Sequence, residues 1–201
     1  MSLGPLDARD MLFAAAAGTA IAAACGLRAF LPLLALGLGV HFHYVAVGAG
    51  GAWIGSAPAI VTLMWATVLE LAADKVPAID HVLDLIATVL RPVAAATAAW
   101  CTFTGIHPAL GVAAALLMGT GAMGVHITKA KIRLGSSMLT LGAANPAISF
   151  VEDALAMGLS AMAVLAPIAA LVGVGLLMWA IAAVFKKRPG GRPRISSVPR
   201  G

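Results

Sequence analysis

The chain has 201 residues; 61% are hydrophobic, only 10% are Asp, Glu, Lys or Arg, and the net charge is +5, with a mean hydropathy of +1.00. Soluble domains carry about 25% charged residues, so a soluble domain of this size is excluded: its surface could not be covered. Alternating ten-residue strands and aromatic girdles are missing, which excludes a membrane β-barrel and leaves an all-α integral membrane protein.

Residues 1–10 read as a short cytoplasmic leader, 11–185 as a single transmembrane domain, and 186–201 as a basic tail. Met11 to Leu27 is the first apolar run, ended by Arg28. AFLPLLALGLG (29–39) follows, with Pro32 inside it and Gly37 near its end. It is too short to cross a ~30 Å hydrocarbon core as helix, so it reads as a re-entrant or half-helix segment. HFHYVAVGAGGAWIGSAP (41–58) is a glycine-rich connection whose Tyr44 and Trp53 suit a membrane interface.

The second span is expected over Ala57 to Asp74, followed by a turn at Lys75 to Ile79 that Pro77 helps to form. Asp80 is placed to cap the third span, which continues through Arg91-Pro92 to about Thr104. Gly105, His107 and Pro108 make the next turn, and Ala109 to Thr128 is the fourth span. KAKIRLGSSMLTLGAANP (129–146) then reads as a second short segment. Asn145-Pro146 opens a fifth span that runs past Glu152-Asp153 to about Met162. Pro167, a good first-turn residue, opens a sixth that ends at Phe185.

Six crossings put both termini on one side. Basic residues accumulate in cytoplasmic loops, so that side is expected to be the cytoplasm. It receives Lys75, Lys129, Lys131, Arg133 and the tail, which holds six of the thirteen Lys and Arg residues; only Arg28 falls on the outer connections. The tail directly follows a hydrophobic helix, so its charge reads as a membrane anchor, and no nucleic-acid partner is expected.

The segments GLRAFLPLLALG (26–37) and KIRLGSSMLTLG (131–142) align. Arg28 and Arg133 each stand nine residues before a glycine, Gly37 or Gly142, and a Pro-Ala-Ile triplet follows each segment, at 58–60 and 146–148. This predicts an inverted repeat with halves 11–104 and 109–185, an arrangement of short interrupted segments typical of transporters.

LELAADKVPAIDHVLD (69–84) concentrates charge between two apolar stretches. Glu70 and Asp74 share a helix face at i,i+4, as do Asp80 and Asp84, with His81 alongside. Glu152 and Asp153 are expected at similar depth, and Lys129, Lys131 and Arg133 on the same side. Charge near the bilayer centre costs at least ~2.5–3.5 kcal/mol per residue on insertion scales. These groups therefore pair, face water or bind something. One reading is an ion-paired clamp. The other is a cation or proton site carried by Glu70, Asp74, Asp84 and Glu152. Arg91, inside the third span, must snorkel or find a carboxylate. Asp80-His81-x-x-Asp84 and the pair His41 and His43 offer metal ligands, but in patterns too short to name a metal. No Walker loop, Rossmann fingerprint, HExxH or nucleophile elbow is present, so neither an enzyme nor a cofactor is expected. Twenty-two glycines permit close helix packing and a homo-oligomer.

Five ordered stretches, GLRAFLPLLALGL (26–38), LELAADKVPAIDHVLD (69–84), RPVAA (91–95), HITKAKIR (126–133) and NPAISFVEDALA (145–156), resemble the bacterial multipass membrane family called domain of unknown function 4126, over about residues 10–185. Ala144 stands where that family has glycine. The resemblance implies a multipass architecture and an inner-membrane location, and no chemistry. The expected function is a small transporter or channel-like protein for a cation or small solute. The alternative is a structural or partner-binding membrane protein whose charges serve helix assembly.

Overall fold

Among the described residues there are seven α-helices: α1 Ala8–Cys25, α2 Phe30–His41, α3 Ala57–Ala73, α4 Pro77–Phe103, α5 Pro108–Thr140, α6 Asn145–Leu165 and α7 Pro167–Lys186, with one 3-10 turn at Ala52–Gly55. The computed structural model describes residues 7–73, 77–103, 106–140 and 145–186, without the side chains of 77–85, 132–134, 136–140, 145–146 and several positions in 177–186. Among the described residues there is no strand, and four helical stretches are long and apolar enough to cross a membrane: Ala8–Cys25, Ile86–Phe103, Pro108–Lys131 and Ala147–Leu165.

Helix α1 is the axis of the bundle, in contact with α2, α4, α5, α6 and α7. Its sequence explains this. Ala14, Ala16, Ala17, Ala20, Ala22 and Ala24 are all buried, and a helix surfaced with alanine lets neighbours approach on every side. The approach to α4 is closest at Gly18, where a Cβ would lie 2.0 Å from the Thr102 hydroxyl oxygen. Helix α3 packs mainly on α2 and leaves Val61, Met64, Trp65 and Val68 exposed, a face suited to lipid.

Successive helices alternate in direction. The first turns of α1 (Asp10, Phe13) lie beside the α6–α7 joint (Val164, Leu165, Pro167) and the 43–46 loop. The last turn of α1 (Ala23, Leu27) lies beside Lys129 of α5, Glu152 of α6, and Val174 and Met178 of α7. One end of the bundle therefore carries the 42–56 connection; the other carries the charged residues.

Three expectations are corrected by this arrangement. The segment 129–140 is not a separate short element: α5 is one helix of 33 residues through it. Lys, Arg and Leu are strong helix formers, so a change in polarity at Lys129 does not end the helix. The two aligned segments thus differ, since 26–37 contains a break and a new helix, whereas 131–140 is uninterrupted. Arg28 is not on an outer connection apart from the other basic residues; it is fully buried at the charged end. Because α2 runs back towards the loop end, the start of α1 and the end of α7 lie at opposite ends of the bundle. Asp80 is also not a cap: α4 begins three residues earlier, at Pro77, a favoured first-turn residue.

Candidate functional site

The site is built around a break in the chain between α1 and α2, at the buried residues Arg28 and Ala29. Helix α1 tightens at its end, where the Gly26 amide bonds to the Ala23 carbonyl and the Leu27 and Arg28 amides to that of Ala24. After Ala29 the chain reverses into α2, which is only 12 residues long, about 18 Å at 1.5 Å per residue. Such a break exposes backbone amides at the start of one helix and carbonyls at the end of the other. Within a bilayer these must find protein partners.

The charged side chains supply them. The Glu70 carboxylate, from α3, accepts the Ala29 amide at 2.7 Å and the Phe30 amide at 3.0 Å. An anion at a helix N-terminus also meets the positive end of the helix dipole. Pro32, fully buried in the first turn of α2, has no amide to satisfy. On the other side of the break, the Lys129 ammonium donates to the Leu27 carbonyl at 3.4 Å and pairs with Glu152 at 2.6 Å. Arg28 pairs with Asp153 and donates to the Ser149 hydroxyl at 3.0 Å. Ser149 and Asp153 are four apart on α6 and share a face, while Glu152 points one step round, towards α5.

Arg91, buried in α4, bonds to the buried His126 of α5, whose other ring nitrogen lies 3.1 Å from the Thr88 hydroxyl. The expectation for Arg91 was a carboxylate or the interface; the partner described is an imidazole. His126 and Thr88 were not singled out in the sequence. The available signal was HITK: a histidine one turn before a lysine within an apolar helix, which by itself marks a polar contact inside a membrane.

Glu70, Arg28, Arg91, Lys129, Glu152 and Asp153 therefore converge from four helices and the α1–α2 link. Lys131, two residues beyond Lys129, is exposed and belongs to no described pair. Gly37 works elsewhere: a Cβ there would lie 2.8 Å from the Ile54 carbonyl, so it lets α2 touch the 3-10 turn. Asp74, Lys75 and Gly142 lie outside the described residues, as do the side chains of Asp80, His81, Asp84, Arg133, Asn145 and Pro146. No cluster of three or more metal-binding side chains occurs among the described residues. The His41 ring instead contacts the Gly55 carbonyl at 2.9 Å, across the 42–56 connection.

Two cavities adjoin the network. One, of about 420 Å³, lies between α2, α3 and α4; Glu70 and Arg91 are its charged walls, and Phe30, Leu69, Ile86 and Leu90 its apolar ones. The other, also about 420 Å³, lies between α5, α6 and α7 and is apolar apart from Thr128, Lys129 and Glu152. The first can hold a small solute between opposite charges, beside a helix N-terminus.

A family model described as Domain of unknown function (DUF4126) matches residues 15–187. No curated protein and no solved structure matches the chain.

Proposed function

We propose, for a chain that belongs to the DUF4126 family, that it is a multipass membrane protein that carries a small solute through the bundle, with the cavity between α2, α3 and α4 as its binding site. The observation that supports this reading is the broken helix α1–α2, whose ends meet Glu70 and Lys129 beside a cavity with Glu70 and Arg91 on its walls. Half-helices that begin at membrane depth beside charged side chains are the sites of many secondary transporters.

In this proposal the six long helices are membrane legs and α2 is a half-helix that returns from the charged end. Lys129, Lys131, Arg133 and the 186–201 tail then follow or occupy the same end, which the distribution of basic residues assigns to the cytoplasm. The C-terminal tail is cytoplasmic and the start of α1 faces the other side. The membrane is the bacterial inner membrane, as the sequence resemblance implies.

A second reading has its own support. Each described charged side chain at the break engages a protein group, which suits a clamp that only holds helices together. A thermal-shift screen of the purified protein against inorganic ions and small solutes separates the two. A ligand that binds only the folded state stabilises it by about 2.7 kcal/mol at a hundred times its Kd. The carrier reading expects a ligand that raises the melting temperature of the wild type but not of Ala66→Trp, which fills the cavity. If no solute shifts the wild type, and liposomes with the protein are no more permeable than empty ones, the clamp reading stands instead.

A further inference from the structure

We propose that the cavity between α5, α6 and α7 seats one anionic phospholipid, with an acyl chain inside the bundle and the phosphate at Lys131. The carrier reading concerns the other cavity, between α2, α3 and α4, and the lipid site does not depend on it.

The walls decide what enters. The cavity follows α6 from Ala147 to Leu159, about 18 Å of helix at 1.5 Å per residue. Its polar side chains, Thr128, Lys129 and Glu152, sit together at the charged end, and the rest of the lining is apolar. Water does not settle in such a space, because it needs about two to four polar partners. An apolar cavity of about 150 Å³ takes a benzene molecule. On that scale a volume of about 420 Å³ has room for roughly 15 carbon atoms. The shape and chemistry suit a single hydrocarbon chain with a polar group at one end.

The way in is from the bilayer. Val151, Leu155 and Met178 form the rim of the cavity and are exposed. Helix α5 packs mainly on α4, whereas α6 packs on α1, α2 and α7, so α5 and α6 part along this side. The apolar molecules that surround such a rim are lipid chains.

The polar end selects the head group. A lysine ammonium has three donors. Glu152 and the Leu27 carbonyl take two of those of Lys129, and among the described residues no group takes the third. The ester of an acyl chain brings an acceptor oxygen to that point. Lys131 is exposed and stands three residues after Thr128, on the same face of α5 and about 4.5 Å further along the helix. The phosphate of a phospholipid lies outward of its esters, where a snorkelling lysine reaches it. Lys129 is balanced by Glu152, and Arg28 by Asp153, so Lys131 sets the sign of the preference. Basic pockets between membrane helices bind anionic head groups in this way.

Native mass spectrometry of the full chain in detergent, titrated with dioleoyl phosphatidylglycerol or dioleoyl phosphatidylcholine, tests this. One phosphatidylglycerol should bind at least about fivefold more tightly than phosphatidylcholine, the ratio that one lysine near a membrane surface supplies. Lys131→Gln should bring the two affinities together. Leu155→Trp, which closes the rim, should abolish the tight site for both lipids. Equal affinities in the wild type, a preference that survives Lys131→Gln, or wild-type binding by Leu155→Trp overturns the proposal. Should Leu155→Trp fail to fold, the wild type is irradiated in phosphatidylglycerol vesicles whose lipid carries a diazirine midway along one acyl chain. Label should concentrate on residues 148–159 and 174–178. Equally dense label on the exposed face of α3, at Val61, Trp65 and Val68, overturns the proposal.

Discussion

Neutralising Lys129 is the sharpest perturbation of the charged network. Its ammonium is 6% exposed, lies 2.6 Å from the Glu152 carboxylate and also reaches the Leu27 carbonyl. Lys129→Met keeps the length and apolar stem but leaves Glu152, itself 7% exposed, as a buried carboxylate without its cation. Breaking a buried pair from one side costs about 3–5 kcal/mol, and the Leu27 carbonyl loses a donor worth about 1 kcal/mol. At about 2–4 °C per kcal/mol for a chain of this length, the combined loss of about 4–6 kcal/mol should lower the melting temperature in detergent by roughly 8–24 °C. Glu152→Gln should fall comparably, because it strands the lysine. The double variant removes both charges and should recover most of the loss, since replacement of a whole buried pair is often neutral or better. The coupling energy of this cycle is then about 3 kcal/mol. Single losses that simply add, to within about 0.5 kcal/mol, would refute the pairing and with it the account of why charge is buried here.

Gly18→Ala places a methyl 2.0 Å from the Thr102 oxygen and should destabilise by about 1–3 kcal/mol through overpacking; adding Thr102→Ala should restore stability, as read by thermal unfolding. Cys25 and Cys101 are both fully buried, so a membrane-permeable maleimide should label neither until the protein is denatured. Against that silent background, single cysteines at positions 9 and 107 should react with impermeant reagent from one side of the membrane, and one at 131 from the other. Labelling of 9 and 131 from the same side would contradict the alternation of helices.

Much of the fold could be read from the chain because hydrocarbon imposes simple rules. Pro77, Pro108 and Pro167 stand at the first positions of α4, α5 and α7, where a missing amide costs nothing. The segment after Arg28 was legible as a short element separate from the first span, from its length and from Pro32, and the structure has a helix of 12 residues there. What failed did so for physical reasons. Lys129 to Arg133 are polar but helix-forming, so the sequence there signals depth and not a break. Arg28 looked like a lone outer charge because its partners, Ser149 and Asp153, are more than a hundred residues away. Glu70 was recognised as a buried acid, but its partners are backbone amides, which leave no mark on residue identity. His126 was quoted as part of HITK and still missed: an imidazole that bridges a guanidinium and a hydroxyl has no sequence pattern of its own.

The central claim is that the break between α1 and α2 is held by side chains from other helices, and Glu70 is where it is most exposed to test. Amide hydrogen exchange at Ala29 and Phe30, compared between the wild type and Glu70→Gln, measures it directly. The account expects both amides to exchange slowly in the wild type and at least one to be strongly accelerated in the variant, while Leu33 and Leu36 further along α2 change little. Rapid exchange of Ala29 and Phe30 in the wild type, or equal protection in both proteins, would contradict it.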